Sequence, residues 1–307
     1  MKPIHKVLER HPDNPIIVPA DFPGASAIYN CGATSFAGKY LLLLSIYDHD
    51  TRAGIYVAKS SDGIHFQINQ KPFIEPATDG KFKEYDGWTI DPRVTKIEDT
   101  YYIIYPAYTR HGVVGMLGRT NDFESFERIE IVSLPDNRCP VLFPGRFGGQ
   151  YLRLDRPSGG VRTGDIWISS SPDLVHWGHH RLLLEAGWAV WNKTKIGPCA
   201  PPIRTSKGWL MIFHGVCEWG GIYSLSCALL DLQDPTKVVG LAPGFILTPQ
   251  EPYELSGKVH NVVFSNGAVL DEETGQLNLY YGAADTCIGL ATGKVEDLVA
   301  LCLSGRK

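Results

Sequence analysis

Long hydrophobic runs are missing from this chain. No stretch approaches the roughly 18 apolar residues that a membrane-spanning helix needs, and the most apolar segment, Tyr40 to Ile46, is strand-sized. The opening MKPIHKVLERHPDNP holds no apolar core of a secretion signal, so none is expected. Paired cysteines are also missing: the seven, at positions 31, 139, 199, 217, 227, 287 and 302, form an odd set with no CxxC pair. That pattern fits neither a disulfide framework nor a zinc site, and free thiols in a reducing cytoplasm are the expectation. Charged residues are sparse at 20%, and a net charge of −4 provides no basic face for nucleic acid or an anionic membrane. No glycine-rich dinucleotide motif follows a strand and opens a helix, so no cofactor is indicated. The HxxHH spacing of His176, His179 and His180 reads as a solvated loop rather than a metal site.

Helical periodicity is almost absent, and short alternating runs rich in β-branched and aromatic residues take its place. The 32 glycines and 21 prolines are spread along the chain, so they punctuate many short elements instead of marking one loose tail. Two markers repeat. The first is a strand opening on an aromatic: GKYLLLLSI, DTYYIIYPAY, GQYLRLDRP, GWLMIFHG and the weaker GQLNLYYGAAD, anchored at Tyr40, Tyr101, Tyr151, Trp209 and Leu277. The second follows about twenty residues later and centres on Asp62, Asp122, Asp173 and, more loosely, Asp234 and Asp297. Two markers keeping step through five copies define a repeat of about 50–60 residues, one four-stranded sheet per copy. Radial stacking of such sheets predicts an all-β fold, a five-bladed β-propeller with a central active-site channel, spanning 25–307 as one cooperative domain. Residues 1–24 are expected to pack on or close the propeller, as an outer strand or a clasp.

In a propeller the start of each innermost strand points toward the axis. The polar residues shortly before the anchors, Asn30, Asp91, Arg138, Lys195 and Asn261, are therefore expected to converge, joined by Ser45, Pro106, Arg156, His214 and Gly282 five residues after the anchors. One carboxylate, Asp91, then faces Arg138, Arg156, Lys195 and His214. Such a basic set repels itself unless an anion sits among it, and guanidinium forks suit phosphate or carboxylate oxygens. Inverting glycoside hydrolysis normally requires two carboxylates, an acid and a base that activates water. A pocket that binds inorganic phosphate removes the need for the base, because phosphate is already a nucleophile and the acid assists departure of the leaving oxygen. The pattern reads as phosphorolysis.

The plainer readings are these. Asp91 before Pro92 can simply shape a turn, Arg138 and Arg156 can be ion-pair partners of Asp136 or Asp155, and His214 can be a satisfied core histidine. Trp88, Trp188, Trp191 and Trp219 can stack on sugar rings or pack the blades.

WTIDPRVTK, LFPGRFGGQYLRLDRP, KIGPCAPPIRTSKGWLMIFHGV, LSGKVHNVVFSNG and LYYGAAD together resemble glycoside hydrolase family 130, a likeness that runs from about Asn30 to Asp285. The resemblance implies a five-bladed propeller and an inverting β-mannoside phosphorylase, an enzyme that moves a mannosyl unit onto phosphate and releases α-mannose 1-phosphate reversibly. It implies Asp91 as general acid, acting through the mannosyl 3-hydroxyl, and Arg138, Arg156, Lys195 and His214 as phosphate ligands. Asn30 and Asp285 match positions that hold the sugar, and Arg52 in the mouth loop and Asp155 join the expected substrate-binding set. Departures occur at Ile90, Cys31 and Cys139, beside the acid and its neighbours. Phosphate is implied as co-substrate and no cofactor. Family members often assemble as oligomers, which leaves a homo-oligomer open here. Two alternatives stand: an inverting β-mannosidase that uses water, with Glu218 or Glu254 as base, and a sugar-binding propeller without turnover.

Overall fold

Residues 5–49, 52–159 and 164–305 are described by the computed structural model of the chain. They form five antiparallel sheets, four of four strands and one of five. The first strands, Ala25–Phe36, Arg93–Ile97, Asn137–Phe147, Lys195–Pro198 and Val263–Asp271, lie innermost, and each blade steps outward from there. This is the expected five-bladed propeller.

The run Leu41 to Leu44 explains why these strands are apolar without alternating. Successive side chains leave a strand on opposite faces, yet here both faces are covered by neighbouring blades. Leu41 and Leu43 join Ile103, Tyr105 and Met116 of the second blade, while Leu42 and Leu44 join Tyr280, Ile288 and Leu290 of the fifth. All four leucines are fully buried, each contributing about 1.5–3 kcal/mol of apolar burial.

The two sequence markers keep step because they are cross-strand partners. Tyr40 lies opposite Ser60, Tyr101 opposite Thr120 and Tyr151 opposite Ser171, the hydroxyl residues that open each Asp turn. In the turn, Asp62 Oδ1 accepts the backbone N–H groups of Ile64 and His65, and Asp122 and Asp173 repeat the pattern. The fifth copy differs from the expectation. Asp297 sits in a helix, Val295–Ser304, whose Val295, Leu298, Val299 and Cys302 are buried. No hairpin is needed there, because the outer strand of the fifth blade comes from the other end of the chain: Glu9–Arg10 pairs with Ala291 and Thr292. The apolar spacing i, i+3, i+4, i+7 in VEDLVALCLS was the signal for that helix.

A buried ion pair reinforces this closure. Arg10 donates from Nε and Nη2 to Glu254 at 2.7 and 2.8 Å, and Tyr281 donates its hydroxyl to Glu254 Oε1 at 2.9 Å. Asn14 adds two bonds to the backbone of Leu290, both 2.8 Å. All seven cysteines are free thiols. No helix among the described residues is long and apolar enough to cross a membrane.

Candidate active site

β-Bulges decide which residues reach the centre. In the first blade Tyr29 pairs with Ser45 and Gly32 with Leu43, so Asn30 and Cys31 share one partner position. In the third blade Arg138 pairs with Arg156 and Val141 with Leu154. The bulged residues Asn30 and Cys139, and Asp91 just ahead of its strand, all take left-handed backbone, at φ 43°, 55° and 54°, a conformation that Asn and Asp tolerate best and that costs about 1–3 kcal/mol elsewhere. The register corrects the equivalence read from the repeat. Arg138 is level with Tyr29 and Phe264, not with Asn30, and Lys195, opposite Val216, lies two residues further toward the mouth. Asn261 stands ahead of its strand and does not line the pocket.

The axis itself is bridged. Arg93, fully buried, donates to the carbonyls of Cys199 and Pro198 at 2.9 and 3.3 Å and to that of Asp91 at 3.1 Å. Blades two and four are not neighbours in a five-membered ring, so these bonds cross the centre. A cavity of about 410 Å³ is lined by residues from all five blades.

Six of the expected site residues line that cavity: Asn30, Asp91, Arg138, Arg156, Lys195 and Asp285. Asn30 Nδ2 donates to Asp91 Oδ1 at 2.9 Å. Arg138 donates to the Tyr108 hydroxyl at 3.2 Å, and Lys195 stands 5.2 Å over the Tyr223 ring. Tyr29, Tyr47, Trp88 and Tyr108 supply an aromatic wall, Trp88 with a buried indole N–H that has no acceptor among the described residues. Trp191 packs against Phe213 and Phe245, and Trp188 and Trp219 are exposed away from the lining.

His214 lies one layer deeper, fully buried, and does not line the cavity. Its Nε2 is 2.7 Å from Arg156 Nη1. A guanidinium can only donate, so that nitrogen accepts and the ring is neutral. Burial first, then the charges of Arg156, Lys195 and Arg93, hold its pKa well below the ordinary histidine value. Two other expectations fall outside the cavity. Asp155 pairs with the buried Arg153 at 2.8 Å and lines a separate cavity. Arg52 is exposed in the loop beside Asp48, which accepts its backbone N–H.

The electrostatics are divided. Arg138 and Arg156 face each other across a ladder, and among the described residues neither they nor Lys195 has a carboxylate partner. Asp136 instead accepts the Val113 N–H. Opposite stand two carboxyls. Burial raises the pKa of Asp91, against Arg93, the Asn30 amide, Arg138 and Arg156. Burial and the charge of Asp91 raise Asp285 to about 7. Glu254, a candidate base, is consumed by the Arg10 clasp, and exposed Glu218 does not line the cavity. Sequence reasoning missed Arg93 and Lys258, although both stand in the quoted motifs WTIDPRVTK and LSGKVHNVVFSNG.

The family model described as beta-1,4-mannooligosaccharide phosphorylase, that of glycoside hydrolase family 130, matches residues 4–304. A beta-1,4-mannooligosaccharide phosphorylase of Ruminococcus albus is 36% identical over 95% of this chain and 90% of its own. A 4-O-beta-D-mannosyl-D-glucose phosphorylase of Bacteroides fragilis is 30% identical over 91% of this chain and 76% of its own. The solved beta-1,2-mannobiose phosphorylase of Listeria innocua, in complex with beta-1,2-mannobiose, superposes with a TM-score of 0.88 at 30% identity, covering 96% of this chain and 99% of that one.

Proposed function

The chain belongs to glycoside hydrolase family 130, and on that footing we propose how its pocket works. The protein is an enzyme that phosphorolyses β-mannosides, with inorganic phosphate as co-substrate and no cofactor. Phosphate sits between Arg138, Arg156 and Lys195, and attacks the anomeric carbon on the face opposite the leaving sugar. Asp91, protonated, supports departure of the leaving oxygen, and inversion gives α-mannose 1-phosphate. The sugar rests against the aromatic wall, held by Asn30 and Asp285. His214 serves as the partner that orients Arg156.

The observation that carries this reading is the uncompensated cationic face. Two arginines directly opposite each other in a ladder repel, and an anion between them turns that repulsion into charge-assisted bonds. A water-using mannosidase is disfavoured because neither Glu254 nor Glu218 can serve the cavity. Free cysteines throughout are in keeping with a reducing cytoplasm.

The test is incubation with β-mannobioses with and without phosphate, following α-mannose 1-phosphate. Product that requires phosphate is expected. Equal mannose release in both tubes would overturn the reading.

A further inference from the structure

The repeat assigns no chemistry to Ser45, which is fully buried on the second strand of the first blade. Its hydroxyl nevertheless touches two residues of the site that hold left-handed backbone, Asn30 and Asp91. Ser45 Oγ donates to the Asn30 carbonyl at 3.0 Å and accepts the Asp91 backbone N–H at 2.9 Å. The bulge at Asn30 and Cys31 takes Asn30 out of the regular ladder with its neighbouring strand, so the Ser45 hydroxyl serves that carbonyl in place of a ladder N–H. Asp91 precedes its own strand, Arg93–Ile97, so its N–H has no ladder partner either. One hydroxyl thus satisfies a donor and an acceptor on two different blades, each at a residue with left-handed φ. The same level of the other blades carries Pro106, Arg156, His214 and Gly282, and no second hydroxyl stands there.

The geometry points to Ser45 as a positioning residue for the reaction: its hydroxyl latches the backbones of Asn30 and Asp91 together and so aims the Asp91 carboxyl. This rests on the reading of Asp91 as the acid. Without the latch, a buried carbonyl and a partly buried N–H lose their partner and the strained conformations are no longer over-determined. The carboxyl then swings, while the phosphate face and the aromatic wall, built on other residues, stay in place.

The experiment measures kcat and KM for phosphorolysis of the β-mannobiose that the enzyme turns over. It compares Ser45→Ala with Ser45→Cys, which fills the same space with a weak hydrogen-bonding group. Ser226→Ala is the control, removing an equally buried hydroxyl that donates only to the Gly244 carbonyl at 2.7 Å. Expected is a fall in kcat of about tenfold to a hundredfold in both Ser45 variants, the scale of an ångström-level misplacement. KM for phosphate, whose ligands Ser45 does not touch, stays within about threefold, and Ser226→Ala keeps kcat. A Ser45→Cys enzyme with wild-type kcat, or a Ser226→Ala enzyme with the same loss, would overturn the assignment. Asp91→Asn in the same assay separates the two levels. Full activity there removes the acid itself, whereas an inactive Asp91→Asn beside wild-type-like Ser45 variants removes only the latch.

Discussion

Asn30 and Asp91 come from adjacent blades, both hold left-handed backbone, and are joined side chain to side chain at 2.9 Å. The bond gives the carboxylate form of Asp91 a donor, yet burial outweighs it and keeps the acid's pKa raised. Asn30 therefore fixes the direction of the Asp91 carboxyl while burial still holds its pKa above the ordinary carboxylate value. Among the described residues the amide oxygen of Asn30 is buried without a partner, and it faces Gly282.

Gly282→Ala tests that contact. A Cβ there would stand 2.1 Å from Asn30 Oδ1 and 2.8 Å from Asn30 N, so Asn30 has to move and the acid moves with it. Stability falls by about 1–3 kcal/mol, as for an overpacked core site. kcat falls by about tenfold or more through the displaced acid. Steady-state kinetics with a urea titration separate the two losses; a variant that is destabilised but fully active would show that Asn30 does not hold Asp91.

Arg156→Lys addresses the phosphate face. Lysine keeps the charge but loses the planar fork and the bond to His214. A lost charge-assisted hydrogen bond is worth about 1.5–3 kcal/mol, so KM for phosphate rises by about tenfold to a hundredfold while KM for the mannoside changes little. An unchanged phosphate KM would place the anion elsewhere. Gly197→Ala gives a milder version, because its Cβ would fall 2.6 Å from His214 Cε1 and 3.0 Å from Arg156 Nη1.

Asp285 makes stability depend on pH. Its folded pKa is about 7, against about 3.9 in an unfolded chain. Between those values the native state holds a proton that the unfolded state has released, so its contribution to stability falls as pH rises through that window. The slope approaches about 1.4 kcal/mol per pH unit at most. Asp285→Asn cannot ionise and removes this term. Thermal melts of both proteins from pH 4.5 to 7.5 are expected to show wild type losing ground to the variant as pH rises; parallel curves would mean that Asp285 is ionised throughout.

The fold was legible because its markers are physically linked. An aromatic at a strand start and a hydroxyl–Asp turn lie opposite each other, so a four-stranded blade keeps their spacing whatever the loops do. The fifth copy misled because its last strand arrives from the N-terminus, leaving Asp297 without a turn to make. The site was legible by residue type but not by level. Asn30, Asp91, Arg138, Arg156, Lys195 and Asp285 meet in one cavity, yet a bulge shifts register by one residue without changing composition, which hid that Arg138 stands level with Tyr29. Asp155 and His214 follow strand positions that look equivalent to lining ones, but Arg153 and Arg156 claim them. Arg93 escaped notice because its partners are carbonyls across the axis, and no sequence spacing reports those.

The clasp between Arg10 and Glu254 yields the last prediction. Glu254 is fully buried and Arg10 is only one-fifth exposed at its side chain, so removing the guanidinium strands a charge that also accepts from Tyr281 and the backbone of Gln250 and Glu251. Breaking a buried pair in this way costs about 3–5 kcal/mol. Arg10→Ala is therefore expected to lower the urea midpoint strongly while leaving kcat unchanged wherever the protein remains folded, since neither residue lines the cavity. Arg10→Ala combined with Glu254→Gln should recover part of the loss, because a neutral amide left behind is less costly than a stranded carboxylate. If Glu254→Gln alone abolished turnover at full stability, Glu254 would have to be reconsidered as a water-activating base, and the phosphate requirement with it.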